Sequence, residues 1–346
     1  MKIAIMAAWN TSSGVAMHAE PIGKAFKKMG HDLTVFTYLK NDFHGDGITG
    51  KDEKYVVRCF GTRPGTYVLN STPFVTSDYD ILMVEDIGML PVEKLANLMP
   101  LIKKKAKVIH VVHENKPCDH SWFYKIGWDK VVYFDERQEF LKKIYPDAVH
   151  IPFPCYPSRR GNKTQTRKRL KLPLKKNIIY CFGHRGYNPY YLDLPPKLKR
   201  NSILLHVVPP DYQMLEEMTP TEWRIIRKIP TIKTQEFDDY LFASDAAIFH
   251  KFQSRFYAVV STTVYQALGC GCPIFVPRQS DFFHSVKHEV VHYSDISALN
   301  KRLIEILHDK KKRDHLISRA EKFIETYSPE RVAEQFIRLF EKLLGE

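Results

Sequence analysis

The chain has 346 residues, 44% of them hydrophobic and 26% charged. That length exceeds one ordinary domain and suits two, and the composition is that of a soluble globular protein, which excludes fibrous and disordered classes. A net charge of +13 favours partners that carry phosphate.

In chain order, the opening Met1-Lys2-Ile3-Ala4-Ile5-Met6 is too short an apolar run for a secretory leader, and 3–7 reads as a buried strand. The turn-rich Thr11-Ser12-Ser13-Gly14 follows. Ile22, Ala25, Phe26 and Met29 recur at the spacing of one helix face, and Gly30 is placed to end that helix. Further strands are predicted at 33–36, 80–84, 108–112 and 131–134, with Pro91 in the first turn of the helix after the second of these. Strands alternating with helices imply a parallel sheet covered on both faces.

The pattern breaks at Pro152, Pro154 and Pro157. The segment 158–176 then carries nine Lys and Arg and no acid, and reads as a basic interdomain linker able to attract phosphates. The alternation resumes with strands at 178–182, 203–208, 246–249 and 274–276, and helices near 238–243, 262–269, 299–308 and 312–326. The uncharged stretch 256–277 contains Gly269, Gly271 and Pro273, so it reads as a helix and a strand, not a membrane span. Ser328-Pro329 is a cap followed by proline at the first helical position, and Val332, Phe336, Leu339, Phe340 and Leu343 make the apolar stripe of a last helix. The fold class is therefore α/β, with two Rossmann-like, doubly wound parallel-sheet domains. Such sheets bind ligands beyond the C-terminal ends of their strands, and a cleft between two of them is the default site.

The motifs narrow the chemistry. No G-x-x-x-x-G-K-[ST], G-x-G-x-x-G or G-x-S-x-G is present, which disfavours a P-loop kinase, a dehydrogenase and an α/β-hydrolase. The six cysteines are scattered without a Cys-x-x-Cys pair, so neither a disulfide framework nor a zinc site is expected, and the compartment reads as cytoplasmic. His284, His288 and His292 are spaced by four, but 277–294 does not read as one helix. His113 directly follows a strand and stands at its ligand-binding end. Gly14 ends the loop after the first strand, where backbone N–H groups can approach a phosphate or sugar. Ser261-Thr262-Thr263 opens a helix whose hydroxyls suit a diphosphate, although Thr263 and Gln266 are also spaced as a capping box. Gly183-His184-Arg185-Gly186 follows the first strand of the second half, and Arg185 is suited to clamp a diphosphate, with Lys251 and Arg255 as auxiliary cations.

Several of these segments together resemble the family 4 glycosyltransferases. They are Ser13-Gly14-Val15-Ala16-Met17-His18, Gly30-His31-Asp32-Leu33-Thr34-Val35, Arg167-Lys168-Arg169-Leu170-Lys171-Leu172-Pro173, Asp238-Asp239-Tyr240-Leu241-Phe242-Ala243-Ser244-Asp245-Ala246, Gln266-Ala267-Leu268-Gly269-Cys270-Gly271-Cys272-Pro273 and Tyr327-Ser328-Pro329-Glu330-Arg331-Val332-Ala333. The resemblance covers nearly the whole chain and rests on order and spacing. It implies the GT-B fold: an acceptor-side domain at 1–156 with the helix 329–346 packing back on it, a linker at 157–176, and a nucleotide-sugar-binding domain at 177–328. It implies transfer of a hexosyl-type group from a nucleotide diphosphate sugar with retention, and no metal or other cofactor. By the same resemblance His113 contacts the donor sugar as the catalytic residue. Gly14, Gly183, Arg185, Ser261, Thr262 and Thr263 hold the donor phosphates, and Gln266 the ribose. The acceptor is unknown, lipid-linked or glycan, with peripheral contact to an anionic cytoplasmic membrane face through the basic segment and no nucleic-acid partner. The sequence departs from the family pattern at His184 and Pro189, where Arg and Lys are usual, and at Ala258 and Gln266, where paired glutamates are usual. Two alternatives therefore stay open, a catalytically inactive sugar-nucleotide or glycan binder and a sugar-nucleotide epimerase, both on the same scaffold.

Overall fold

The computed structural model describes residues 1–42, 47–63, 65, 67–113, 126–182, 194–208, 220–229, 232–251 and 258–345. The chain divides into two compact units. The first comprises Met1–Pro154, Phe256–Val259 and Tyr327–Glu346, and the second Cys155–Arg255 and Val260–Thr326.

The first unit is built on an eight-stranded sheet in the order β4-β3-β2-β1-β5-β6-β7-β8. Its strands are β1 (Lys2–Met6), β2 (Asp32–Tyr38), β3 (Val56–Gly61), β4 (Val68–Leu69), β5 (Ile81–Glu85), β6 (Lys107–Val111), β7 (Lys130–Tyr133) and β8 (Val149–His150). All neighbours run parallel apart from β3 and β4. The helices are α1 (Ala16–Lys28), α2 (Thr72–Thr76) and α3 (Val92–Ile102). Ser13 Oγ accepts from the Ala16 N–H at 3.1 Å ahead of α1, and Gly30 at φ 88° ends the helix in the left-handed conformation that glycine adopts without strain. Ala19, Ile22, Ala25 and Phe26 are buried along one side of α1. Pro91 is the residue before α3, one position earlier than expected.

The second unit has a six-stranded, all-parallel sheet in the order β11-β10-β9-β12-β13-β14. These strands are β9 (Asn177–Phe182), β10 (Ser202–Val208), β11 (Arg224–Lys228), β12 (Ala246–Ile248), β13 (Ile274–Pro277) and β14 (Val291–Tyr293). Its helices are α4 (Lys163–Arg169), α5 (Pro196–Asn201), α6 (Thr234–Ala243), α7 (Thr262–Ala267), α8 (Ile296–His308) and α9 (Lys310–Thr326). A core of Ile179, Leu204, Ile248, Phe275, Leu299 and Leu303 lies between sheet and helices.

The basic segment read as a linker lies within this second unit, and its residues 163–169 form α4. Asn162 caps α4 by accepting from the Gln165 N–H at 3.0 Å. Arg167, on the buried side of this helix, is bonded to Asp245 at 2.5 Å, so its charge serves the fold. The last helix, α10 (Pro329–Leu344), belongs to the first unit. Ser328 accepts from the Arg331 N–H at 3.4 Å at its start, and Gly345 at φ 84° stops it. Its Phe336 and Phe340 meet Phe26 of α1 at ring-centroid distances of 6.4 and 5.7 Å.

Candidate functional site

In an open α/β sheet, ligands gather where the strand order reverses, at the C-terminal ends of the two diverging strands. In the first unit β1 is followed outward by β2 on one side and by β5 on the other, so the reversal lies between β1 and β5. A buried polar cluster stands beside it. Glu85 is the last residue of β5, His113 lies just past β6, and His18 comes from the first turn of α1. Glu85 Oε2 is 2.9 Å from His18 Nδ1 and 3.1 Å from His113 Nε2. The side chains of His18 and Glu85 are 0% exposed and that of His113 is 10% exposed.

The surroundings fix the charge state. Burial alone would push the Glu85 carboxyl up, but the two imidazoles outweigh it and hold the group down to about 2, so it is ionised. Burial holds the His18 imidazole below the ordinary histidine range, against the pull of Glu85. The rings of Phe134, Phe153 and Phe336 surround His18, with centroids at 5.5, 5.1 and 6.3 Å. An ionised carboxylate only accepts hydrogen bonds, so both contacting nitrogens carry protons. The three ligand atoms lie within 4.8 Å of one another, close enough for one ion. Metal-bound imidazoles almost always donate their second N–H to an acceptor, and His18 Nε2 is buried without one. Hydrogen bonding accounts for the cluster without an ion.

Gly14, the other first-unit residue singled out from sequence, is exposed in the turn before α1. In the second unit the order reverses between β9 and β12. Gly183, Arg185 and Arg255, together with His184 and Pro189, lie outside the described residues. Lys251 follows β12, and its ammonium sits 5.1 Å from the centre of the Phe282 ring. Ser261 is buried and precedes α7, while Thr262 and Thr263 are half-buried. The capping box expected of Thr263 and Gln266 does not form: Ser261 is the N-cap, and no side chain caps the helix.

Gln266 is buried within the second unit and its side chain bonds Asp238, whose carboxyl burial lifts against the pull of Arg159. Arg159 also donates to the Gln266 carbonyl at 2.6 Å. This commitment competes with the ribose contact expected of Gln266. Ala258 is buried and offers no carboxylate. His284 follows a short 3-10 turn and His292 lies on β14, where its Nε2 bonds the Val286 carbonyl at 3.0 Å, so the three spaced histidines share no helix.

No protein-family model matches the sequence. Solved structures do resemble it over its whole length. Sucrose-phosphate synthase from Thermosynechococcus elongatus is similar at a TM-score of 0.68 and 14% identity, covering 100% of this chain and 99% of the other. Anabaena HepE, solved with UDP-glucose, is similar at 0.68 and 12%, covering 99% and 100%. An alpha-glucosyltransferase solved with UDP and DNA containing an HMU base is similar at 0.67 and 14%, covering 99% of each chain. Likeness at this level of identity establishes the fold, the two parallel-sheet units of GT-B glycosyltransferases.

Proposed function

We propose that this chain transfers a glycosyl group from a nucleotide diphosphate sugar to an acceptor, with retention at the anomeric carbon. The observation that carries this reading is the likeness over full length, on both sides of each comparison, to glycosyltransferases that include complexes with UDP and UDP-glucose. A uridine diphosphate sugar is therefore the first donor to test. In the first unit, His113 is the residue that contacts the donor sugar. In the second, Gly183, Arg185 and the hydroxyls of Ser261, Thr262 and Thr263 serve the diphosphate, with Lys251 and Arg255 adding positive charge. Cations and amide donors aimed at a departing diphosphate stabilise the charge that develops as the glycosidic bond breaks, and this needs no metal. The acceptor class is lipid-linked or glycan, reached at an anionic membrane face.

A second reading, a binder without turnover, is favoured by Ala258 and by the bond between Gln266 and Asp238, which leave both usual glutamate positions without a carboxylate. One experiment separates the two. Nucleotide diphosphate sugars are screened for thermal stabilisation of the protein, and those that stabilise are assayed for nucleotide release with and without candidate acceptors. Stabilisation with release supports transfer, and stabilisation without release supports the binder. A panel of UDP, GDP, ADP and dTDP sugars that leaves the melting temperature unmoved would remove both.

A further inference from the structure

A carboxylate with no exposure at the end of a central strand needs a reason, because an uncompensated buried charge is costly enough to force neutralisation. Glu85 has two imidazoles on one oxygen, His18 Nδ1 at 2.9 Å and His113 Nε2 at 3.1 Å. They are not equivalent. His18 is enclosed by three phenylalanine rings with its Nε2 buried and unpartnered, so burial works against its charged form while Nδ1 donates to the carboxylate and orients it. His113, with its 10% exposed side chain, is the member through which the cluster reaches its surroundings.

We infer that Glu85 and His18 are positioning residues for His113: His18 fixes the carboxylate, and the carboxylate fixes the His113 ring through Nε2–H, leaving Nδ1 as the nitrogen that Glu85 does not engage. The inference rests on the reading of His113 as the donor-sugar contact, and adds to it the two residues that set its tautomer and protonation. A carboxylate behind an imidazole stabilises the imidazolium form, so His113 holds its proton to higher pH than a histidine lacking that partner. Among the described residues, the titratable groups in contact with it are Glu85 on β5 and His18 on α1. The β7 end contributes Phe134, and the neighbouring Asp135 is turned to Arg137, paired at 2.6 Å. Residues after β8 and on α10 contribute Phe153 and Phe336.

The test has one arm that needs no activity. The full chain is labelled with 15N-histidine, the His113 signals are assigned by their loss in His113→Gln, and the ring is titrated in the parent and in Glu85→Gln. The expected result is an Nε2–H tautomer in the parent and a His113 midpoint displaced to lower pH in Glu85→Gln. A second pair of variants covers the case in which Glu85→Gln fails to fold: His18→Gln keeps an N–H donor and should retain the parent midpoint, whereas His18→Leu should not. An unchanged tautomer and midpoint in a folded Glu85→Gln, or equal behaviour of His18→Gln and His18→Leu, overturns the inference whether or not transfer is ever detected. Stoichiometric zinc in the purified parent would reassign the cluster to metal binding and overturn it as well. The second arm follows kcat against pH for nucleotide sugar turnover. Its acid-to-neutral limb should move with the His113 midpoint in Glu85→Gln. A parent that turns over no nucleotide sugar defeats the functional reading alone, because the titration arm still reports on the network. A midpoint that moves while the kcat profile stays fixed overturns the positioning role.

Discussion

The guanidinium of Arg167 bonds Asp245 at 2.5 Å and donates to the carbonyls of Ala243 at 2.8 Å, Leu174 at 3.1 Å and Lys176 at 3.0 Å. Asp245 also accepts from the Ile178 N–H at 2.7 Å, tying the start of β9 to the same cluster. Removing the guanidinium takes the donor from several carbonyls and the buried partner from Asp245, which keeps its more exposed partner Lys163 at 2.9 Å. Because Asp245 keeps 19% exposure, Arg167→Gln should cost about 3 kcal/mol, the low end for a buried pair. Urea unfolding of the parent and the variant measures it, and a loss under about 1 kcal/mol, the level of a surface ion pair, would show that the cluster is solvated. In the sequence Arg167 is one cation in a run of nine, and nothing local marks it as buried. Glu85 poses the converse difficulty. The run Ile81-Leu82-Met83-Val84-Glu85 announces a strand but not whether its last residue faces water. That His113 stands at the end of a strand was readable from the apolar run before it. Its partners were not, because Glu85 and His18 reach it only through the parallel pairing of β5 with β1 and β6.

At the scale of elements, the strands legible in the sequence are the central ones. β1, β5, β6, β9 and β10 are buried on both faces and read as mainly apolar runs, interrupted by His110 in β6 and His206 in β10 and by polar residues at their ends, and their predicted bounds fall within two residues of the observed ones. The strands that escaped notice are short or lie toward sheet edges, where charge is tolerated: β3 with Arg58, β11 as Arg224-Ile225-Ile226-Arg227-Lys228, and β4, β8 and β14 at two or three residues each. The basic segment is another case in which an element changes the meaning of its residues. Once α4 forms, Arg159, Arg160, Lys163, Arg167 and Arg169 each face an acid: Asp238, Glu321, Asp245, Asp245 and Asp239. Lys168, Lys171 and Lys175 are exposed, and the proposed membrane contact rests on them. Each such lysine near an anionic surface contributes roughly 1 kcal/mol, screened within about 8 Å at physiological salt. Changing these three to Gln should therefore abolish most co-sedimentation with anionic vesicles at low salt and leave the unfolding midpoint near that of the parent. Sedimentation that is equal for parent and variant, or equal on neutral and anionic vesicles, would end the membrane proposal for this segment.

At the scale of the whole molecule, the two-sheet architecture followed from the alternation of strands and helices, whereas its response to acid depends on which histidines the folded chain buries. His206 on β10 is buried with Nε2 unpartnered, and burial, aided by Arg224, pushes its imidazole down to about 3. Burial does the same to His250, also to about 3. In the unfolded chain each titrates near the ordinary value of about 6.5. Between those limits the unfolded state binds protons that the native state refuses, so stability falls as pH drops below about 6.5, and the loss is complete once pH has passed the folded values. Glu85 adds a loss of the same sign at lower pH, because its depressed carboxyl stabilises the fold above the unfolded value of about 4 and that contribution vanishes toward about 2. For His206 alone the full displacement corresponds to roughly 5 kcal/mol, a large share of what holds a domain together. The urea midpoint followed by circular dichroism should therefore decline steadily from pH 6.5 to pH 4. His206→Leu removes one of the refused protons and should flatten that decline by close to one proton's worth of slope, about 1.4 kcal/mol per pH unit. A variant whose midpoint falls as steeply as the parent's would mean that His206 is protonated, or open to water, in the native state.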